Sequence, residues 1–318
     1  MKLFKPEVFQ GNLSKKRYFE GWYFKHVSAN LEQVYSFIPG IALNSANPHA
    51  FIQVINGISG DTHYVKFPVS EFKFRRDRFW VKIGKSEFSP ESIQLDIESD
   101  DLRVKGRLHF SERVKYPSSL LSPGIMGWYS FVPFMECKHG VVSVNHGISG
   151  SLNINGESID FTGGKGYIEK DWGRSFPEAW IWMQSNNFDK SSASLMISIA
   201  RIPWLGSHFT GLLGFLYVEG AFYPFSTYNG SKIITCTIDN GLLTIAIRHQ
   251  QYLLNINATI NNSGILKAPK SGNMDRYIKE SIDSELQVNL CKVNGKTIFD
   301  GAGHRAGLEV IEGIFGMI

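Results

Sequence analysis

The sequence predicts an all-β protein of two related halves, each folded as an antiparallel barrel or a strongly curved sandwich. Aromatic residues make up 13% of the chain and 31 residues are glycine, a composition typical of strands and turns. Short apolar or alternating runs recur along the chain, separated by turn residues. Segment 20–26 is echoed at 178–184, so Trp22 and Trp180 lie 158 residues apart in a chain of 318. This echo predicts an internal pseudo-repeat.

The elements can be assigned in chain order from their period of two. In the first half, strands are predicted at 18–27, 34–43, 50–56, 62–67, 78–83, 92–98 and 101–110. Further strands are predicted at 140–145, 147–155 and 158–162, where Asn155-Gly156 is typical of a hairpin turn. In the second half, strands are predicted at 179–188, 193–201, 208–218, 231–238, 242–248, 251–260, 284–293 and 305–312, with one or two helical turns at 273–281.

Residues 111–138 interrupt this rhythm with three prolines and several aromatic residues, including Trp128. A long loop inside a compact domain is often functional. We therefore predict either a lid over an apolar ligand or a loop packed on the core. A peripheral membrane contact through its apolar stretch, 120–135, is a further hypothesis.

Length, charge and cysteine content narrow the class of protein. A length of 318 residues predicts two domains, at 1–162 and 163–318, joined at the glycine-rich stretch 163–166. The net charge is +4 and the basic clusters at 15–17 and 73–78 are short, which argues against a nucleic-acid partner but allows weak attraction to anionic lipid. The three cysteines have no CxxC spacing, so neither a disulfide framework nor a zinc site is expected. The amino terminus lacks an apolar signal core, and we expect a cytoplasmic location.

Acidic residues among tryptophans are the main candidates for chemistry, because HExxH and GxSxG motifs are absent. The cluster comprises Glu20, Glu169, Asp171 and Glu178, with Trp22, Trp172, Trp180 and Trp182. Glu169 and Asp171 are two residues apart, so on a strand they face the same way. When indoles exclude water from two neighbouring carboxylates, the pKa of one of the two rises. That carboxyl group would then be a proton donor at neutral pH. The alternative is that these acids pair with Arg17, Lys170 or Arg174 and fasten loops.

Two histidines and two amides complete the candidates. His139 and His146 are seven residues apart and fall on opposite faces of a regular strand. His146 precedes a glycine and is a candidate for a bulge, where it is either a general acid or base or a structural histidine. Gln184 and Asn186 share a face with Trp182, and they either orient a ligand oxygen or satisfy buried polar groups.

Two blocks of the sequence resemble the tocopherol cyclase family. Residues 16–25, Lys-Arg-Tyr-Phe-Glu-Gly-Trp-Tyr-Phe-Lys, look like its amino-terminal signature. Residues 166–173, Gly-Tyr-Ile-Glu-Lys-Asp-Trp-Gly, look like its Glu-Lys-Asn-Trp-Gly block, and residues 180–186 resemble its Trp-x-Trp-x-Gln-x-Asn pattern. Asp171, Glu178 and His146 depart from the plant pattern. The resemblance thus leaves the substrate open between a tocopherol precursor and another isoprenoid or polycyclic lipid.

The resemblance implies a double lipocalin-like β fold and cyclisation of a prenylated quinol without a cofactor or a metal. In that reaction an acid protonates the alkene, and the phenolic oxygen captures a tertiary cation that indole faces can stabilise. Glu20 and Glu169 become the first candidates for the acid. The predicted residues are, for catalysis, Glu20, Glu169, Asp171 and His146 and, for substrate binding, Trp22, Phe24, Trp128, His139, Trp172, Trp180, Trp182, Gln184 and Asn186. The alternatives are a lipocalin-like carrier of a hydrophobic small molecule and a structural module whose core is filled by its own side chains.

Overall fold

A computed structural model of the chain describes residues 2–133, 135–190, 192–204, 206–311 and 313–315. It confirms the all-β prediction: the described part has no α-helix and only short 3-10 turns, at Lys2–Phe4, Val69–Glu71, Gly127–Phe131 and Thr227–Asn229. Within those residues no helix is long and apolar enough to cross a membrane. Residue 312 of the last predicted strand, and residue 134 of the predicted irregular segment, lie outside the described residues.

The first sheet contains twelve antiparallel strands. They are β1 Arg17–Val27, β2 Val34–Asn44, β3 His49–Asn56, β4 Thr62–Phe67, β5 Phe72–Phe74, β6 Val81–Ile83, β7 Ser86–Phe88, β8 Ser92–Glu98, β9 Arg103–Val114, β10 Cys137–Ile154, β11 Glu157–Asp160 and β12 Lys165–Gly173. Their order in the sheet is β4-β3-β2-β1-β12-β10-β9-β8-β7-β6-β5, and β11 pairs with β10. The last strand, β12, therefore lies between the first strand, β1, and β10.

The second sheet contains eleven strands. They are β13 Trp180–Ser185, β14 Asn187–Phe188, β15 Ala193–Trp204, β16 Ser207–Val218, β17 Ala221–Ser226, β18 Lys232–Asp239, β19 Leu242–His249, β20 Tyr252–Thr259, β21 Gly264–Lys270, β22 Asn273–Lys292 and β23 Thr297–Val310. Their order is β17-β16-β15-β13-β23-β22-β20-β19-β18, with β14 on β23 and β21 on β22. The last strand again pairs with the first, so both sheets follow one scheme, as the internal repeat predicts.

Two of the fold predictions need correction. Each sheet is an open path of hydrogen-bonded strands in the described chain, so the closed-barrel prediction is wrong. Residues 273–281 were expected to be helical but belong to strand β22, because their backbone pairs with β21 and β23. Pairing with neighbouring strands overrides weak local helix propensity.

The chain divides into two compact units. The first unit comprises Met1–Phe176 with Ile265–Tyr277, and the second comprises Pro177–Gly264 with Ile278–Ile318. The predicted halves meet between residues 162 and 163, whereas the units divide between Phe176 and Pro177. The difference arises because β12 pairs with both β1 and β10 inside the first sheet.

Alternation along the strands decides which side chains fill each core. Trp22 and Phe24 of β1 belong to the hydrophobic core of the first unit. Ile168 of β12 belongs to the same core. The odd-numbered residues of β12 therefore lie on the other face of the sheet. In β13 the parity is reversed, because Ile181 and Met183 belong to the core of the second unit.

The recurring sequence segments lie on equivalent strands but not at equivalent positions. In the first sheet Phe19 lies opposite Ala42. A spacing of 158 would place residue 177 opposite Ala200, but Trp180 occupies that position. The pairing is displaced by three residues, and an odd displacement exchanges the two faces of a strand. Trp22 consequently faces a core, whereas Trp180 does not.

Candidate functional site

The candidate site is a polar cluster on β12 and β10, on the face of the first sheet opposite its core. Tyr167, Glu169 and Asp171 alternate along β12 with core-facing residues. His139 on β10 lies directly opposite Asp171. Cross-strand partners point to the same face, which brings the imidazole to the two carboxylates. We call Tyr167, Glu169, Asp171 and His139 the His139 cluster.

The imidazole of His139 lies between the two carboxylates. Its Nδ1 is 2.9 Å from Oδ1 of Asp171, and its Nε2 is 3.5 Å from Oε2 of Glu169. The Tyr167 hydroxyl donates a hydrogen bond of 2.7 Å to Oε2 of Glu169. Nε2 of His139 is buried and makes no hydrogen bond of good geometry. Its contact with Glu169 is therefore an ion pair rather than a hydrogen bond.

Burial and charge act in opposite directions on His139. Burial disfavours the imidazolium, but the charges of Asp171 and Glu169 and the hydrogen bond that Nδ1–H donates to Asp171 favour it, and the net effect raises the pKa of His139 to about 9. Burial, together with the charge of Glu169, raises the pKa of the Tyr167 hydroxyl well above its usual range. The cluster thus carries a proton on His139 at neutral pH, and Tyr167 remains a hydrogen-bond donor.

His139, Glu169 and Asp171 also form a group of described residues that could hold a metal ion. One donor atom each from His139, Glu169 and Asp171 falls within 4.8 Å of the others. A divalent ion needs the neutral imidazole, whereas these carboxylates stabilise its protonated form. A metal would therefore compete with the proton for the same place.

Part of the irregular segment between β9 and β10 packs against the cluster. Sδ of Met126 accepts a hydrogen bond of 3.1 Å from the backbone N–H of His139. Lys138 Nζ donates to the carbonyl oxygen of Ser130 at 2.8 Å. Ile125 and Met126 are buried, whereas Trp128 is half exposed and contacts Tyr129, with ring centroids 4.2 Å apart and ring planes tilted by 32°. Some residues of the segment therefore pack inward and others face solvent, and its role as a lid stays a prediction.

Glu20 lies on the other face of the first sheet, away from Glu169. It is fully buried and accepts hydrogen bonds from the backbone N–H groups of Gln10 and Gly11 and from the hydroxyl of Tyr18. Nζ of Lys170 lies 2.5 Å from its Oε1. Four donors thus occupy one carboxylate. This geometry supports the alternative interpretation, in which the acid fastens a loop.

Lys170 and Trp22 hold the same amino-terminal segment. Lys170 Nζ donates to the carbonyl oxygens of Pro6, at 2.7 Å, and Val8, at 2.5 Å, and Trp22 Nε1 donates to that of Glu7 at 2.8 Å. Burial lowers the pKa of Lys170 to about 8, although Glu20 acts in the opposite direction. The ammonium also lies 4.7 Å from the ring of Trp22 and 4.9 Å from that of Trp172.

Other predicted residues of the first unit also face its core. Phe24 is fully buried in that core. His146 lies opposite Gly166 of β12 at a bulge of β10, and its Nδ1 is 3.0 Å from Ser143 Oγ. His139 lies opposite the odd-numbered Asp171, so the two histidines occupy opposite faces, as predicted. Burial lowers the pKa of His146 well below its usual range, which keeps the ring neutral.

The predicted residues of the second unit lie along β13. Trp180, Trp182, Gln184 and Asn186 are all buried, and none belongs to the hydrophobic core cluster of that unit. Trp180 Nε1 donates to Glu309, and Gln184 Nε2 donates to Asn186 Oδ1 at 3.3 Å. Glu178 precedes the strand, where an Arg201 nitrogen approaches its side chain at 3.3 Å.

Two features of the site were not predicted from the sequence. Tyr167 stands two residues before Glu169, and the rule that grouped Glu169 with Asp171 would have included it. His139 was predicted to bind substrate, but the structure places it at the centre of the charged cluster. Only the register between β10 and β12 reveals that position.

Comparison with known proteins decides the family. A family model described as tocopherol cyclase-like matches residues 103–312, which include β12 and β13. The chain belongs to the tocopherol cyclase-like family. The first resembling block, at 16–25, lies before the matched residues. The second, at 166–186, lies within them.

The sequence identity between this chain and individual known proteins is low. The chloroplastic tocopherol cyclase of Zea mays is 30% identical over 197 residues, which are 58% of this chain and 41% of the maize protein. Among solved structures, CghA aligns with a TM-score of 0.59 at 10% identity, covering 93% of this chain and 88% of that chain. Kievitone hydratase from Nectria haematococca aligns with a TM-score of 0.53 at 9% identity, covering 96% and 93%. At these identities the structures show a shared fold.

Proposed function

We propose that this protein is a cofactor-independent cyclase acting on a prenylated quinol or another isoprenoid-like hydrophobic substrate. The family to which the chain belongs, and the tocopherol cyclase of maize within it, support a cyclisation. The observation that carries the proposal is the His139 cluster, in which a protonated imidazole lies beside a carboxylate on a surface other than the core. Ring closure of this kind adds an O–H group across an alkene, a reaction that requires one acid and one base.

The proposed roles follow from the distances. His139 gives its Nε2 proton to the less substituted alkene carbon while the phenolic oxygen bonds to the more substituted carbon. Glu169 accepts the phenolic proton. Because Nε2 of His139 and Oε2 of Glu169 are 3.5 Å apart, the proton can return to His139 once the ring has closed. The substrate and the product are isomers, so the balance requires no redox partner.

The remaining two members of the cluster position these groups. Asp171 holds Nδ1 of His139 and stabilises the imidazolium. Tyr167 hydrogen bonds to the Glu169 carboxylate. In this proposal His139 replaces Glu20 as the proton donor, because Glu20 is surrounded by donors on the core face. Trp180, Trp182, Gln184 and Asn186 remain predicted substrate-binding residues.

Turnover of a prenylated hydroquinone, followed by chromatography of the chromanol product, tests the reaction. We expect His139→Asn and Glu169→Gln to lower kcat by about 10²- to 10⁴-fold, the usual contribution of a general acid or base. Glu98→Gln, an exposed carboxylate on β8, is the matched control and should be unchanged. Substrate affinity, measured separately by equilibrium dialysis, should change little in all three variants.

The pH dependence gives a second readout. Because His139 must be protonated, activity should fall as the pH rises through about 9. Asp171→Asn removes a charge that raises this pKa, so the alkaline limb of the profile should move to lower pH. An unchanged limb in Asp171→Asn would contradict the role of His139 as the acid.

The second candidate is a carrier that binds the same hydrophobic ligand without converting it. Buried aromatic side chains would serve a carrier equally well, but a carrier has no use for a protonated histidine beside a carboxylate. Incubation with a cell lipid extract, followed by mass spectrometry, separates the two. An isomeric product supports the cyclase, and a retained, unchanged lipid supports the carrier.

A further inference from the structure

A β-turn in the irregular segment between β9 and β10 presents two leucines to solvent. Ser119 and Ser122 exchange backbone hydrogen bonds, of 2.7 Å and 3.1 Å, which places Leu120 and Leu121 at the two central positions. Leu120 is 83% exposed and Leu121 is 82% exposed. Turn tips usually carry glycine, proline, asparagine or aspartate. Local backbone geometry does not account for two leucines at this place.

The same segment also carries two exposed aromatic side chains. Trp128 is 47% exposed and Phe131 is 50% exposed, and both belong to the 3-10 turn Gly127–Phe131. Single exposed apolar residues are normal on a protein surface, but several in one segment indicate an interaction surface. Tryptophan in particular is enriched where an apolar medium meets water.

A pocket lined by charged residues of both signs lies beside the leucine turn. The pocket has a volume of about 630 Å³, and Ser118, Pro123 and Gly124, which flank the turn, form part of its wall. Four cations line it: Lys5, Arg78, Arg113 and Lys115. Three acids line it as well: Glu7, Asp77 and Glu91.

Two of the four cations are available for a ligand. An Arg113 nitrogen lies 3.5 Å from Glu91, and Lys5 donates to the backbone oxygen of Asp77 at 3.1 Å. Arg78 and Lys115 are exposed and form no ion pair within the described part of the chain. Arg78 also ends the basic cluster 73–78, which the proposed reaction does not use.

We propose that this surface docks on a bilayer containing anionic phospholipid. Leu120 and Leu121 enter the apolar layer, Trp128 and Phe131 lie at its boundary, and Arg78 and Lys115 contact lipid phosphate at the pocket. Apolar insertion combined with cationic attraction is the arrangement by which peripheral proteins bind membranes stably. This proposal concerns binding alone, and it can succeed or fail independently of the reaction proposed above.

Sedimentation with vesicles tests the proposal on the full chain. The vesicles are phosphatidylcholine alone, or phosphatidylcholine with about one third phosphatidylglycerol. We expect binding to the anionic vesicles, weakened by added salt because exposed charges are screened. Leu120→Ser/Leu121→Ser should reduce the partition coefficient by about tenfold or more, which corresponds to about 1.4 kcal/mol. Arg78→Glu/Lys115→Glu should reduce binding to the anionic vesicles only.

The matched control replaces two exposed aliphatic residues of the second unit. Ile234 and Val293 are 57% and 58% exposed, and Ile234→Ser/Val293→Ser should bind as the wild type does. Far-UV circular dichroism confirms that each variant is folded. The proposal is overturned if the wild type does not sediment with anionic vesicles or if the leucine variant binds as well as the wild type. It is equally overturned if the leucine variant changes only the oligomeric state.

Discussion

Neighbouring residues of β12 have different roles because a strand points them to opposite faces. Glu169 meets the imidazole of His139 on one side of the first sheet, whereas Lys170 enters the core and meets Glu20. The two acids that the sequence suggested first, Glu20 and Glu169, are thereby separated by the thickness of a sheet. Glu20 has four donors on the core face, and Glu169 is the acid that we propose takes part in the reaction.

The buried ion pair between Lys170 and Glu20 leads to a prediction about the free energy of unfolding. Lys170→Met leaves the carboxylate of Glu20 buried without its cation, and breaking such a pair costs about 3–5 kcal/mol. Glu20→Gln/Lys170→Met removes both charges and should recover part of the loss. Urea unfolding measures both values. The exposed pair Arg103–Glu98 is the control, and Arg103→Met should change the free energy of unfolding little. Equal losses in the single and double variants would contradict the account.

The burial of His26 leads to a prediction of how the free energy of unfolding depends on pH. His26 is fully buried in the first unit, and burial lowers its pKa from 6.5 to about 3, although a backbone hydrogen bond with Tyr35 acts in the opposite direction. Below pH 6.5 the unfolded chain therefore binds a proton that the folded chain does not bind. The free energy of unfolding should fall from that pH down to about 3, by roughly 1.4 kcal/mol per pH unit and about 5 kcal/mol in total.

His26→Phe isolates this contribution. Phenylalanine keeps a flat ring beside Phe24 and Phe110 but binds no proton. The stability difference between His26→Phe and the wild type should therefore widen as the pH falls from 6.5 to 3, because the carboxylates act equally on both proteins. Chemical denaturation at a series of pH values provides the measurement. A constant difference would show that His26 is not responsible.

Strand β10 contains two bulges where it pairs with β12. Register shifts occur between Val141 and Ser143 and between Ser143 and His146, after which His146 lies opposite Gly166. His26 of β1 lies opposite the same glycine from the other side. Gly166 thus separates two buried imidazoles on the core face, and a side chain there would enter the space of His146. Each bulge adds one residue to β10, and the two together leave His139 and His146 on opposite faces.

Gly166→Ala tests this packing. The added Cβ would lie 2.8 Å from Cδ2 and Cε1 of His146, and closer still to Nε2. Overpacking of this kind costs about 1–3 kcal/mol. His146→Ala in the same chain should restore part of the loss, because it vacates the contested space. Gly124→Ala is the control, since no atom lies within 4 Å of its added Cβ. Thermal unfolding compares the variants, and equal stability of Gly166→Ala and the wild type would count against the contact.

The two sheets share a strand order in which the last strand of each sheet pairs with the first strand of the same sheet. Consecutive strands β1 to β4, and later β13 and β15 to β17, extend each sheet in one direction, and the closing strands β12 and β23 extend it in the other. The segment Ile265–Tyr277 belongs to the first unit although it follows most of the second in sequence. Gln53 holds it through two hydrogen bonds with the backbone of Lys267, of 2.9 Å and 2.8 Å.

The sequence alone was sufficient for the all-β class, most strand positions and the family, because these depend on local periodicity and on contiguous motifs. It also placed Glu169 and Asp171 on one face, since two residues apart on a strand is a local relation. The partner of these acids, the face on which Glu20 lies and the openness of the sheets were decided by the tertiary structure. Each depends on register between strands distant in sequence, and a displacement of one or three residues exchanges core and surface.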